Sequence, residues 1–131
     1  MRYFRQVHIN VNFQCAILFY RTRSGRSPVA EFLRALAPRQ RGKIAWVLDI
    51  VRSTEHVSAE YLKKLAGTDG IREIRVVYRG DALRLLSCFE GRDLVVVLTA
   101  FAKKTEETPL LEIEPAHRRR RDYLDRNGAN G

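Results

Sequence analysis

The stretch IREIRVVYRGDALRLLSCFEGRDLVVVLTAFA, residues 71–102, decides the architecture. It opens with strict alternation: Ile74, Val76 and Tyr78 share one side of an extended chain, and Glu73, Arg75 and Val77 share the other. Arg79-Gly80-Asp81 and Glu90-Gly91-Arg92-Asp93 are turn sequences, in which glycine supplies backbone angles that other residues resist. They divide the stretch into strands at Ile71–Tyr78, Leu83–Phe89 and Leu94–Ala102, and short turns between three strands make an antiparallel meander. The third strand is apolar on both sides, which predicts a place inside a sheet covered on both faces.

Outward from the meander the period changes. Upstream, FQCAILFY at 13–20 is rich in strand formers, and RTRSGR at 21–26 is a basic loop. Ser27-Pro28 supplies an N-cap residue followed by proline at the first helical position. Val29, Phe32, Leu33 and Leu36 then recur at helical spacing, predicting a helix over Pro28–Ala37. Pro38 begins a second helix whose stripe is Ile44, Val47, Leu48 and Val51, widened by Trp46 and Ile50, so the pair reads as an αα-hairpin. Downstream, Thr108-Pro109 starts a terminal helix. Pro115 lacks an N–H and predicts either a break there or a start near Glu114. Residues 1–12 read as an arm or an extra edge strand, and 126–131 as a frayed tail. The expectation is one α+β domain over 1–131, an antiparallel β-sheet with an N-terminal αα-hairpin and a C-terminal helix, in the order β-α-α-β-β-β-α.

Bulk properties bound the function. A chain of 131 residues suits one domain that folds on a single core. The longest apolar run, Leu94–Ala102, is too short for a bilayer, and Asn10, Asn12 and Gln14 interrupt any signal-like core, so a cytoplasmic protein without membrane attachment is expected. Cys15 and Cys88 sit in apolar runs and read as reduced packing residues. Lys and Arg number 24 against 15 Asp and Glu, a net charge of +9 that favours nucleic acid or the ribosome as partner. No zinc-ligand spacing, phosphate loop or dinucleotide fingerprint occurs, so neither metal nor cofactor is expected.

The segments SPVAEFLRAL at 27–36, YLKKLAGTDGIREIRV at 61–76, ALRLLS at 82–87, AFAKKTEETPLLEIEPA at 100–116 and RRDYL at 120–124 together resemble the RelE/ParE superfamily of bacterial toxins. The likeness is greatest to the HigB-like, phage-derived group termed Gp49-like. The resemblance covers about Cys15 to Leu124, and its most specific part is the series Phe101, Lys103, Lys104, Thr105, Thr108, Pro109, Glu112, Ile113 and Ala116. It implies a RelE-like fold and the toxin of a type II toxin–antitoxin pair, partnered by a small helix-turn-helix antitoxin. It further implies a ribosome-dependent endoribonuclease, an mRNA interferase. Three positions depart from the pattern: Arg72 where an aromatic is common, Thr99 where a histidine or similar polar residue is common, and Pro115 in the last helix. Two other readings stay open: a ParE-like inhibitor of DNA gyrase, since such members share the fold, and a non-catalytic, phage-derived RNA-binding domain, which the three departures keep alive.

Metal-independent RNA cleavage uses the ribose 2′-OH against the adjacent phosphorus. It needs a base, cations around the phosphorane and an acid for the departing 5′-oxygen. His8, His56 and His117 lie outside the matching strands. Arg75 and Arg84 fall on neighbouring strands and are the candidates for clamping phosphate, since a guanidinium binds it bidentately. Lys103 or Lys104, at the end of the third strand, is the candidate base or proton donor, because cationic neighbours and desolvation favour a neutral amine. The resemblance adds Tyr123, for stacking on a base or as a second acid. Competing readings are a cross-strand ion pair for Arg75, a buried partner for Arg84, plain solvent exposure for the two lysines, and Glu73 as a group that orients an arginine. The remaining cations are candidates for RNA or ribosome docking: Arg39, Arg41 and Lys43, then Lys63 and Lys64, then Arg118, Arg119, Arg120 and Arg121. As a four-residue run on one helix, the last group points in several directions.

Overall fold

The computed structural model describes residues 14–104 and 108–128, in which the chain runs β1 (Ala16–Phe19), α1 (Pro28–Arg34), α2 (Pro38–Ser53), β2 (Leu62–Lys64), β3 (Arg72–Tyr78), β4 (Asp81–Glu90), β5 (Leu94–Lys103) and α3 (Leu110–Arg126). The fold is α+β, with five strands in the order β1-β5-β4-β3-β2 and three helices. The meander β3-β4-β5 is present. Its first turn places Arg79 at φ 50° and Gly80 at φ 86°. A two-residue connection with both angles positive matches the right-handed twist of the strands it joins.

Four expectations need correction. The sheet is mixed rather than antiparallel, because β1 lies parallel to β5, with Ala16 opposite Leu94 and Phe19 opposite Val97. Such a pairing joins segments far apart in sequence and leaves no turn signal. A fifth strand, β2, pairs antiparallel with β3, so the order gains a strand before the meander. The first helix stops at Arg34, short of Ala37. Pro38 disfavours helical angles at Ala37, which sits at φ −65° and ψ 150°, and Arg41 Nη1 of α2 donates to the Leu36 carbonyl that the early stop leaves open. Finally, α3 runs through Pro115 without a break. The proline is the sixth helical residue, so it forfeits one bond to the Leu111 carbonyl, and Leu111 is 84% exposed where water serves instead. The arm or extra strand expected at 1–12 lies outside the described residues. The helix reaches Arg126, so the described part of the expected tail is Asn127 and Gly128, which form a turn.

Each face of the sheet has its own core. On the first, Val29 of α1 and Ile44, Val47 and Val51 of α2 pack on Ile74, Val76, Leu83, Leu85, Val95 and Val97. On the second, Ala116 of α3 packs with Ile71, Leu86, Cys88, Val96, Leu98 and Phe101. The register between β4 and β5 slips once. Leu86 faces Thr99 while Ser87 faces Val97, leaving Leu98 as the extra residue of a β-bulge. The slip reverses every later side chain of β5. Phe101 and Lys103, which unbroken alternation would place beside Val97 on the first face, lie on the second.

Candidate functional site

Arg75 and Arg84 are directly opposite each other in the β3–β4 register and point to the second face. Like charges in that relation repel, and the sequence meets the problem with Glu73, two residues back on the same face and only 1% exposed. Its Oε1 lies 3.5 Å from Arg75 Nε and 3.6 Å from Arg84 Nε. Thr108, just ahead of α3, donates its hydroxyl hydrogen to the other oxygen, Oε2. One carboxylate thus orients two guanidinium groups and ties the approach to α3 to the strands.

Arg84 is 6% exposed and sits opposite Phe101. Burial lowers its pKa, the negative charge of Glu73 works against that effect, and the charge of Arg75 adds to it. Its Nη1 donates to the Leu83 carbonyl at 3.0 Å, while its buried Nε has no hydrogen-bond partner among the described residues. That Nε is closed to solvent and lies 3.6 Å from Glu73 Oε1, an ion pair without a hydrogen bond. The helix α3 packs on β5 and β4 and leaves the far end of this face open, since Val77, two residues past Arg75, is 58% exposed.

Lys103 faces Ala82 and is therefore diagonal to Arg84 on the second face, where cross-strand diagonals bring Cβ atoms within about 7–8 Å. It is there because of the bulge. The carbonyl of Leu98 accepts a hydrogen bond of 2.8 Å from Arg119 Nη1. Arg119, whose pKa is lowered by burial, also lies over the Tyr20 ring. Lys104 is exposed just beyond the strand. Arg75, Arg84 and Lys103 thus come together on one face, with Lys104 at its margin.

Tyr123 does not join them. It packs near Cys88 and Glu90, toward the other end of β4, and Cys88 lies four residues, or about 13 Å, along the strand from Arg84. Burial raises the Tyr123 hydroxyl above its ordinary range, which suits packing rather than proton transfer. The docking candidates divide as well. Arg119 and Arg120 turn inward, Arg120 pairing with Asp69 at 3.3 Å, whereas Arg118 and Arg121 are exposed. On α2, Arg41 donates to the Leu36 carbonyl just past α1, Lys43 lies over Trp46 at 4.5 Å, and Arg39 is exposed. Lys63 and Lys64 are exposed on the edge strand β2, Lys63 opposite Glu73 and Lys64 opposite Arg72. Sequence reasoning missed Thr108 as a ligand of Glu73 and Arg119 as the support of the bulge. A threonine ahead of a helix reads as a cap, and no residue type announced the slip.

Cys15 and Cys88 are both buried and free, as expected of packing residues. Among the described residues no helix is long and apolar enough to cross a membrane, and no cluster of His, Cys, Asp and Glu is placed to hold a metal ion.

No curated protein matches the chain. A family model described as "Phage derived protein Gp49-like (DUF891)" matches residues 31–121, which run from the second half of α1 through most of α3 and include Glu73, Arg75, Arg84, Lys103 and Thr108. The match takes in well over half of the chain, and the protein belongs to the phage-derived Gp49-like family.

Proposed function

We propose that the chain is the toxin of a type II toxin–antitoxin pair and acts as a metal-independent endoribonuclease on mRNA at the ribosome. Membership of a family associated with RelE-type toxins is compatible with the first part. One observation carries the second: the opposed guanidinium groups of Arg75 and Arg84, held by a buried carboxylate on a partly open face that also bears Lys103.

In this reading Arg75 and Arg84 grip the scissile phosphate and stabilise the pentacoordinate phosphorane. The 2′-oxygen forms a bond to phosphorus and yields its proton to a base, and the bond from phosphorus to the 5′-oxygen breaks as that oxygen takes a proton. The products are a 2′,3′-cyclic phosphate and a 5′-hydroxyl. Lys103 is assigned to proton transfer, with Lys104 beside it. Glu73 positions the arginines and touches no substrate. The exposed Arg39, Lys63, Arg118 and Arg121 supply salt-sensitive docking to ribosomal RNA. A small helix-turn-helix antitoxin inhibits by covering the cationic face or displacing α3, and the pair operates in the cytoplasm.

Induced expression with mapping of transcript 5′ ends tests the reading. New translation-dependent ends are expected. Arg84→Ala and Lys103→Ala lower their yield by about 10²–10³-fold, the usual effect of removing a transition-state donor, and circular dichroism verifies that each variant is folded. DNA damage without new ends would instead favour gyrase inhibition. Ribosome binding without cleavage would leave an RNA-binding domain.

A further inference from the structure

The sheet holds a second like-charge pair. Lys64 and Arg72 face each other across β2 and β3 on the first face, three residues upstream of Arg75. No carboxylate forms an ion pair with either of them among the described residues. Two cations in direct cross-strand register repel each other. The Arg72 guanidinium lies 4.4 Å from the centroid of the Phe89 ring. Together with Lys64 they line a cleft of about 600 Å³ whose floor includes Val57 and Leu62 and whose rim includes His56. Arg92 and Glu55 hydrogen-bond to each other at the rim, so the one carboxylate in the lining is already engaged.

From this arrangement we propose that the cleft binds a nucleoside monophosphate unit, free or within a single RNA strand. Its size is that of a small-ligand site, with an apolar floor and a few polar groups at the rim. The Arg72 guanidinium and the Phe89 ring below it offer a surface for a nucleobase, since arginine planes and aromatic rings both stack on bases. Lys64 stands across from it to meet the phosphate. The anion then supplies the countercharge that Glu73 supplies on the opposite face. The cleft and the proposed cleavage centre lie on different faces of the sheet, so this site does not depend on the nuclease reading.

The test is a titration followed by amide chemical shifts in the full chain, with 5′-AMP, adenosine, inorganic phosphate and a short oligoadenylate as probes. With 5′-AMP, shifts are expected at Leu62, Arg72, Phe89 and Gly91, and adenosine and phosphate each bind at least tenfold more weakly. Oligoadenylate binding more tightly than 5′-AMP assigns the site to an RNA strand, and equal or weaker binding assigns it to the free nucleotide. Lys64→Ala, an exposed edge change that leaves the core intact, weakens 5′-AMP at least tenfold, as does Phe89→Leu. Arg84→Ala leaves these shifts in place even where it abolishes cleavage. Phosphate competing as well as 5′-AMP, shifts confined to Arg75 and Arg84, or unchanged affinity in Lys64→Ala would each overturn the proposal.

Discussion

The two opposed cation pairs show how one sheet handles like charge in two ways. Arg75 and Arg84 lie on the second face beside a carboxylate that is 1% exposed, which compensates one of their two charges within the fold. Lys64 and Arg72 lie on the first face, at the edge strand, without a carboxylate partner among the described residues. Position explains the difference. Arg84 is in the central strand, where water cannot screen it, so an internal counterion is obligatory. Lys64 is on a three-residue edge strand, where water screens the charge, and edge lysines discourage pairing with another chain. An internal counterion fixes geometry and leaves one positive charge over on the second face, whereas both charges are left over on the first.

Removing the counterion breaks the comparison most severely. Glu73→Ala strands Arg84 in the core beside Arg75 and should cost about 3–5 kcal/mol, read as a lowered urea midpoint. Glu73→Gln keeps the shape but not the charge and should recover only part of that loss. A midpoint within error of the parent protein would mean that the arginines need no carboxylate. The next effect concerns the bulge that carries Lys103 to the arginine face. Arg119→Ala leaves the Leu98 carbonyl without its 2.8 Å donor and should cost about 1–3 kcal/mol. It should also lower cleavage by more than the stability loss explains, with partial recovery in Arg119→Lys. Full cleavage by a folded Arg119→Ala protein would detach the bulge from the site.

The alternation of residues 71–78 made β3 and its two faces readable, and with them the shared face of Arg75 and Glu73. The turn read at 79–81 put Arg84 on the neighbouring strand, whereas the register that sets it directly opposite Arg75 comes from the two-residue connection in the structure. Reading stopped at Leu98. A bulge in a largely apolar strand changes no residue type, and the carbonyl at the bulge, Leu98, is met by an arginine 21 positions later in another element. The parallel seam between β1 and β5 was hidden for a similar reason, since nothing local distinguishes an edge strand's partner. In the run 118–121, helical geometry allowed that its arginines diverge, but only the packed sheet selects Arg119 and Arg120 as the inward pair.

Alkaline titration probes the far end of the second face. Burial, reinforced by the negative charge of Glu90, pushes the Cys88 thiol up to about 12 from an ordinary value of 9.0. The unfolded thiol therefore loses its proton first. The stability linked to this group is complete below about pH 9 and is lost as pH rises toward 12. Urea midpoints should fall across that window, and Cys88→Ala should flatten the fall. An equally steep decline in Cys88→Ala would assign it to other groups, such as the buried Tyr20 hydroxyl, whose pKa is also raised.

The smallest effect has the opposite sign. Lys64→Glu places a carboxylate directly across from Arg72 and turns repulsion into attraction, so the protein should gain about 0.2–1 kcal/mol. The same change fills the cleft with the countercharge that a nucleotide would bring, and binding of 5′-AMP should disappear as stability rises. Stability and binding moving in opposite directions is the signature of a cation pair kept for a ligand. If Lys64→Glu instead lost stability, the lysine would already have an internal partner, and the two pairs would differ only in degree.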